Sequence, residues 1–351
     1  MSKIAVLNDT HCGVRNSSEI FIEYQRKFYK ELFFPYCQKN NITHIIHLGD
    51  YYDHRKNVNF KALNANRQMF LKPLHDYGMT MDIIPGNHDV FHKNTNNLCS
   101  LKELLGYYTK NINIIMKPTT IRDTHFLPWV NAENYEHSMK WVKSKKGGIL
   151  FAHLELKDFE MMRGIKSPIG MLKSQFTNFD RVYSGHYHAS SKQDNITYLG
   201  SQMEFTWADC EDDKHFHVFN TNGNTMTRVR NPFILYRKIY YNDDNINYDE
   251  IVDVSEYTDK FVKVIVEKKG NPFMFDKFID RLSDINTHEL KIAENFSEFL
   301  GENVVTSIED VENTTDLMNN YIDGVNTDLN KDKLKTLMNS LYNEALDMEI
   351  Q

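Results

Sequence analysis

Residues 81–89 read MDIIPGNHD, and this stretch indicates the fold class more strongly than any other. Its first four residues form a short, largely apolar run that predicts a buried strand. Gly86-Asn87-His88-Asp89 therefore lies where a strand ends. The neighbouring side chains of Asn87 and His88 point in different directions, so one can bind a metal ion while the other faces a reacting phosphate.

Four other polar motifs follow predicted strands in the same way. They are Asp9-Thr10-His11, Gly49-Asp50-Tyr51-Tyr52-Asp53, Phe151-Ala152-His153 and Gly185-His186-Tyr187-His188. An open α/β sheet binds its ligands at the carboxyl ends of its strands, so all five motifs are expected to meet in one site. A single strand-end Asp or His is more often an ordinary turn residue, but several in ordered motifs argue against coincidence.

The first 230 residues alternate predicted strands and helices. This pattern predicts an α/β fold, a sandwich of sheets with helices outside. The runs 112–116 and 120–127 are expected to be edge strands, and 196–199 with 216–219 a terminal hairpin region.

Asn231-Pro232 marks a boundary after this first domain, 1–230. Residues 231–295 contain a strand, a helix and another strand, which indicates a small α/β unit. An acidic linker is expected at 296–309, followed by two helical patterns within 310–351.

Composition is that of an ordinary globular protein, with 41% hydrophobic and 25% charged residues among 351. No segment approaches the roughly 20 apolar residues of a membrane helix, and the N-terminus leads directly into a strand. A cytosolic location is therefore the default expectation. The net charge of −7 argues mildly against autonomous tight DNA binding, although it does not exclude a nuclease. The four cysteines are far apart in the sequence, which favours reduced, buried thiols over structural zinc.

The strand-end motifs supply carboxylate, imidazole and amide groups, and Mn²⁺ is suited by such ligands. The candidate metal ligands are Asp9, His11, Asp50, Asn87, His153, His186 and His188. Two metal ions about 3.5–4 Å apart can clamp a phosphate and activate a water. A carboxylate shared by both ions would maintain that spacing, and Asp50 is the natural bridge.

His88 and Asp53 are the candidate catalytic residues. If Asn87 is a ligand, His88 is free to donate a proton to the leaving oxygen or to stabilise phosphate charge. Asp53 follows Asp50 by three residues and is expected to hydrogen-bond His88, which would orient its imidazole. Arg228, Arg230, Arg237 and Lys238 surround the domain boundary and could contact a DNA backbone, but an ordinary surface role explains them equally well.

In order, D-x-H, G-D-x-x-D, G-N-H-D, a lone strand-end His and G-H-x-H resemble the phosphoesterase motifs of the calcineurin-like metallophosphatases. Within that superfamily the chain resembles the SbcD nucleases, and most of all the group of recombination endonuclease subunits of T-even-like bacteriophages. Several further stretches carry this resemblance: residues 49–56, 117–120, 127–129, 198–201 and 340–345.

The resemblance implies a metallophosphoesterase two-sheet sandwich with a small capping domain that helps to hold DNA. It assigns one Mn²⁺ to Asp9, His11, Asp50 and His188, and a second to Asp50, Asn87, His153 and His186; Mg²⁺ is an alternative metal. It also implies double-strand-break processing, with the C-terminal helices docked on the coiled coil of an SbcC-like ATPase. A homodimer within a heterotetramer is expected, in the host cytoplasm if the chain is phage-encoded.

One position departs from the family pattern. Some cellular members have a second catalytic histidine where this chain has Asp53, and His54 follows one residue later. Whether His54 contributes stays open. Two other functions also remain as alternatives: a phosphomonoesterase or protein phosphatase of the same superfamily, and a non-catalytic scaffold on this fold.

Overall fold

The computed structural model describes residues 3–108, 110–244, 246–248 and 253–293, with a few residues between 330 and 338. The strands and helices named below all belong to one compact unit, Met1–Phe296. The predicted linker lies outside the described residues. So does nearly all of the predicted segment 310–351, of which residues 331, 333–335 and 337–338 are helical. Within the described ranges, no helix has the length and hydropathy required to span a membrane.

Strands are numbered along the chain. They are β1 Lys3–Leu7, β2 His44–His47, β3 Thr80–Ile83, β4 Ile112–Ile114, β5 Thr119–Ile121, β6 Thr124–Leu127, β7 Ile149–His153, β8 Glu160–Met162, β9 Ile165–Lys166, β10 Arg181–Gly185, β11 Ser191–Gln193, β12 Ile196–Tyr198, β13 His215–Asn220, β14 Thr225–Arg230, β15 Tyr236–Asn242, β16 Phe261–Lys268 and β17 Glu289–Ala293. The α-helices are Glu19–Lys27, Phe34–Lys39, Phe60–Asn66, Lys72–Asp76, Ser100–Leu105, Tyr135–Lys143 and Pro272–Asp284, with a four-residue turn at Val14–Ser17.

Two six-stranded sheets form the main body, with the orders β14-β13-β1-β2-β3-β4 and β11-β12-β10-β7-β6-β5. In the first sheet β1 to β4 are parallel, and in the second β12, β10, β7 and β6 are parallel. Apolar side chains from both sheets are buried between them, as in the contact of Phe151 with Phe219, whose ring centroids lie 5.4 Å apart. This confirms the predicted sandwich.

Helices cover the outer faces of the sandwich. Phe33 of the long stretch 19–39 packs on Phe216 of β13, with ring centroids 5.2 Å apart. Two helical stretches, 19–39 and 60–76, each change to a π-helical segment, Phe28–Phe33 and Arg67–Leu71, shortly before a proline. Proline lacks an N–H and displaces the carbonyl four residues earlier, so a local widening of the helix accommodates it.

The small third sheet is entirely parallel, in the order β15-β16-β17. Helix Pro272–Asp284 covers one face of it, and Asn271 caps this helix by accepting a hydrogen bond from the backbone N–H of Met274 at 3.3 Å. Alternate residues of β16 are buried against the helix, including Val262 and Val264. The opposite face of the sheet is only partly covered.

A buried carboxylate joins the third sheet to the main body. Glu204 is 2% exposed. It accepts hydrogen bonds from the backbone N–H groups of Leu235 and Tyr236, at 2.5 and 3.0 Å. Burial raises the pKa of Glu204 to about 7. Trp207 also packs edge-on against Tyr236, with ring centroids 4.9 Å apart.

Two predictions about strand placement are wrong. Residues 196–199 and 216–219 do not form a hairpin, because β12 pairs with β10 and β11 whereas β13 pairs with β1 and β14 in the other sheet. The run 120–127 is not one edge strand, because a turn at Arg122, with φ of 54°, divides it. β5 is the edge, and β6 is an inner strand.

Candidate metal centre

The five strand-end motifs converge at one end of the sandwich. β1, β2 and β3 of the first sheet and β7 and β10 of the second end there. His153 is the last residue of β7, and the other four motifs begin at or after the ends of their strands. The structure brings the predicted residues together in three groups whose ligand atoms lie within 4.8 Å of one another. The groups are Asp9, His11 and His188; Asp50, His153 and His186; and His11, Asp53 and His88.

The backbone turns sharply at this end. Asp9, His11 and Asp50 have φ values of 48, 43 and 53°, in the left-handed region that residues with a Cβ rarely adopt. Backbone hydrogen bonds hold the two loops together, from Asp9 N–H to the Gly49 carbonyl at 2.9 Å and from His11 N–H to the Asp50 carbonyl at 3.1 Å. Such strain is typical of a site whose surroundings determine its geometry.

Gly86 is required because nothing larger fits beside the loop of Asp50. A Cβ on Gly86 would lie 2.1 Å from Oδ1 of Asp50 and 2.6 Å from Cε1 of His153. Both distances are far below van der Waals contact. The glycine in Gly-Asn-His-Asp therefore allows two candidate ligands to approach the third strand end.

In the first group, Nε2 of His11 faces Nε2 of His188 at 3.1 Å. The carboxylate of Asp9 is buried beside them and also accepts a hydrogen bond from the side chain of Asn8. Phe205 packs against both imidazoles, with ring centroids 5.5 Å from each. Two imidazole nitrogens and a carboxylate that converge in a buried site are a donor set that fits a divalent metal.

In the second group, Oδ1 of Asn87 lies 3.0 Å from Nε2 of His153 and 2.9 Å from Nδ1 of His186. Oδ2 of Asp50 is 3.3 Å from the same Nε2 of His153. The backbone carbonyl of Leu48 lies 2.7 Å from Nδ1 of His153, so that carbonyl orients the ring with Nε2 towards the group. Four side chains from four motifs thus converge on a second point suited to a metal.

The charges of the cluster also fit a cation. Burial opposes charge on His11, but the carboxylates of Asp53, Asp50 and Asp9 raise its pKa to about 9. Burial likewise opposes charge on His153, whose pKa Asp50 and Asp9 raise to about 9. Burial, then neighbouring His11, lowers the pKa of His188 to about 3. Without metal, protons on two histidines balance the carboxylates, and a divalent ion can replace them.

His88 and Asp53 contact each other through the backbone of Asp53. Nδ1 of His88 lies 2.6 Å from the backbone carbonyl of Asp53. The carboxylate of Asp53 instead lies 3.1 Å from Nδ1 of His11 and 3.5 Å from Nε2 of His54. The expected hydrogen bond between Asp53 and His88 therefore uses the backbone carbonyl, and the carboxylate contacts a candidate metal ligand. The half-exposed His54 touches the site only through Asp53 among the contacts described.

Sequence reasoning missed several residues that support this site. Asp89, which is fully buried, accepts hydrogen bonds from the backbone N–H groups of Gly86 at 2.9 Å and Tyr51 at 3.0 Å. Lys214 donates to the His188 carbonyl at 3.1 Å and pairs with Asp209 at 2.5 Å. Only Asp89 carries a sequence signal, its place in Gly-Asn-His-Asp.

A profile described as "Calcineurin-like phosphoesterase" matches residues 2–190, more than half of the chain. The chain is also similar to "Exonuclease subunit 1" of Enterobacteria phage T4. The two are 29% identical over 350 residues, which are 98% of this chain and 99% of the T4 protein.

Three solved structures that the chain resembles share little sequence with it. An archaeal phosphodiesterase is 15% identical with a TM-score of 0.33, over 65% of this chain and 99% of its own. Purple acid phosphatase PPD1 from yellow lupin is 11% identical with a TM-score of 0.36, over 65% and 52%. GAP50 of Plasmodium is 12% identical with a TM-score of 0.35, over 66% and 90%.

The profile match spans all five strand-end motifs, which the structure brings into one buried cluster of carboxylates, imidazoles and an amide. The chain belongs to the calcineurin-like phosphoesterase family and is a metal-dependent hydrolase of phosphoesters.

Proposed function

We propose that this chain is the nuclease subunit of a double-strand-break processing and recombination complex, and that it hydrolyses DNA phosphodiester bonds with Mn²⁺. The observation that carries the proposal is the pair of adjoining donor groups with His88 beside them. Similarity to a T4 protein named as an exonuclease subunit supports DNA as the substrate. Four imidazoles among seven candidate ligands argue against Mg²⁺, which prefers oxygen ligands. The choice of Mn²⁺ follows the family resemblance.

The proposed ligands divide between two ions. Asp9, His11 and His188 would hold one ion with Asp50, and Asn87, His153 and His186 would hold the other with the same Asp50. When bound, two such ions supply Lewis acidity towards the phosphate and a nucleophilic water at neutral pH. Asp50 lies in the second group, and as the shared ligand it would also have to reach the ion held by the first group.

His88 would handle the proton of the leaving oxygen. A carbonyl can only accept a hydrogen bond, so Nδ1 of His88 carries a proton towards Asp53, and Nε2 is the nitrogen that gains or loses one. Burial lowers the pKa of His88. An approaching phosphate would counter this shift through its negative charge, which favours the imidazolium as proton donor. A positioned acid of this kind typically contributes about 10²–10⁴-fold to a rate.

The remaining parts of the proposal rest on the family resemblance. Residues 231–295, which contain the three-stranded sheet, would form a capping domain that helps to hold DNA. Residues 310–351 would dock on an SbcC-like ATPase after the linker 296–309. Two copies would pair through helices near 60–77 and 98–107, within a heterotetramer in the host cytoplasm.

The test is cleavage of linear duplex and single-stranded DNA with Mn²⁺ or Mg²⁺ by the wild type, Asp50→Ala and His88→Ala. Both variants should lose cleavage, by about 10²-fold or more for His88→Ala. His92→Ala is the matched control, because this exposed histidine follows His88 by four residues. Full activity of either site variant at high Mn²⁺ would overturn the assignment. Turnover of a phosphate monoester without DNA cleavage would instead favour the phosphatase alternative.

A further inference from the structure

Three lysines lie side by side across the small sheet. Lys238 of β15 pairs in register with Lys263 of β16, and Lys263 pairs with Lys291 of β17. Strands in a sheet are about 4.8 Å apart, so the row spans about 10 Å. All three side chains project from the face opposite helix Pro272–Asp284, because residues two apart along β16 share a face and Val262 and Val264 face the helix.

The row of three lysines destabilises the small sheet when no anion is bound to it. Like charges directly opposite each other on neighbouring strands repel. Burial, followed by the charges of Lys238 and Lys291, lowers the pKa of Lys263. Glu289 offsets part of the charge, at 3.1 Å from Lys291. In a chain with a net charge of −7, an in-register row of cations on a partly open face fits an anionic partner.

Aromatic rings border the row on both sides. The ammonium group of Lys263 lies over the ring of half-buried Trp207, 4.4 Å from its centroid. Tyr240, 43% exposed, follows Lys238 by two residues on the same face. Cations interleaved with aromatic faces are typical of surfaces that bind single-stranded nucleic acid, where bases stack on the rings and lysines contact the phosphates. A duplex would leave the rings unused, since its bases are already stacked.

A short chain of buried contacts places the row near the metal centre. Trp207 packs on Tyr236, with ring centroids 4.9 Å apart, and the Tyr236 hydroxyl donates to the Phe205 carbonyl at 3.1 Å. The ring of Phe205 in turn packs on His11 and His188. Nε of the exposed Arg15 donates to the same carbonyl at 3.2 Å and adds a cation between the row and the centre.

We propose that Lys238, Lys263 and Lys291, with Trp207 and Tyr240, form a binding track for one DNA strand that leads to the metal centre. This inference rests on the proposed nuclease function and specifies it: the strand held by the small sheet is unpaired. The three lysines contact its phosphates, and Trp207 and Tyr240 stack with its bases.

The test measures binding of the full chain, in EDTA to prevent cleavage, to a labelled 20-nucleotide oligo(dT) and to a 20-base-pair duplex. The triple variant Lys238→Gln, Lys263→Gln, Lys291→Gln should weaken oligo(dT) binding about tenfold or more. It should also reduce the slope of log K against log salt by about two, since each phosphate contact contributes about 0.7 for single strands. Duplex binding should change much less.

A charge-matched triple variant serves as the control. It replaces three exposed helical lysines of the main body, Lys39, Lys140 and Lys143, by glutamine, and it should bind oligo(dT) as the wild type does apart from a small general effect of charge. Trp207→Leu should weaken oligo(dT) binding about tenfold, within the range of base–aromatic stacking, and Trp207→Phe should restore it.

The outcomes separate this inference from the proposed function. Equal losses for oligo(dT) and duplex, or losses matched by the control variant, would overturn the single-strand track while the nuclease assignment stands. If the wild type cleaves DNA with Mn²⁺ and the triple lysine variant binds oligo(dT) as tightly as the wild type, the single-strand track is likewise overturned and the nuclease assignment stands. A wild type that neither binds nor cleaves DNA would overturn both.

Discussion

Asp53→Ala should weaken metal binding at the group that contains His11 while leaving His88 in place. The substitution removes a carboxylate 3.1 Å from Nδ1 of His11 but keeps the backbone carbonyl that holds Nδ1 of His88 at 2.6 Å. Partners of ligand histidines typically contribute about 10–100-fold to metal affinity, or about 1.4–2.7 kcal/mol. A hydrogen bond to a charged group contributes a similar ~1.5–3 kcal/mol. The apparent dissociation constant for Mn²⁺ should therefore rise about 10–100-fold.

The assay is an Mn²⁺ titration of the hydrolysis of bis(p-nitrophenyl) phosphate, which separates metal affinity from kcat. At saturating Mn²⁺, kcat should stay within about threefold of wild type, because His88 keeps its contact. The apparent Mn²⁺ dissociation constant of Asp53→Asn should lie between those of wild type and Asp53→Ala, since an amide accepts a hydrogen bond without charge. Asp82→Ala is the matched control, because Oδ2 of Asp82 lies 3.1 Å from Nε2 of His44 away from the site. The reasoning would be refuted if Asp53→Ala had a kcat as low as that of His88→Ala and an unchanged apparent dissociation constant for Mn²⁺.

Three further predictions concern the same site and its support. Gly86→Ala should abolish metal loading in equilibrium dialysis, because its Cβ would lie 2.1 Å from Oδ1 of Asp50. Metal binding at pH 7.5 should release about two protons per chain, seen by calorimetry in buffers of different ionisation enthalpy. The pKa values of His11 and His153, raised to about 9, keep both protonated without metal, so metal affinity should rise with pH up to about 9. Lys214→Met should lower the free energy of unfolding in denaturant by about 3–5 kcal/mol, because it leaves the buried carboxylate of Asp209 without its ion-pair partner.

The meeting of the five motifs was predictable because it depends on two local signals. Each motif follows an apolar run that predicts a strand, and parallel strands bring their carboxyl ends to one edge. The structure shows both, with Asn87 after β3 and His153 at the end of β7. Neither signal requires knowing which strand pairs with which, so an incorrect pairing did not affect the expected site.

Strand pairing and the detailed partners of Asp53 were not predictable in this way. β13 pairs with β1 from the far end of the first domain, and its sequence shows only that a strand exists, not which sheet holds it. The offset of three residues from Asp50 to Asp53 is compatible with contact to His88 through either the side chain or the backbone. The left-handed turn at Asp50, with φ of 53°, is part of the loop geometry that decides between them, and no residue type marks it in advance.

The net charge of the chain is a poor guide to DNA binding, because the sequence does not reveal which strands pair. Lys238, Lys263 and Lys291 are separated by 25 or more residues, and Lys263 and Lys291 alternate with apolar residues as on any solvated strand face. Only the in-register pairing of three parallel strands makes them neighbours. Electrostatic attraction between exposed charges acts over a Debye length of about 8–10 Å, close to the width of the row, so a phosphate at the row experiences those three charges far more than the −7 of the whole chain. The overall charge therefore does not argue against a local surface for a polyanion.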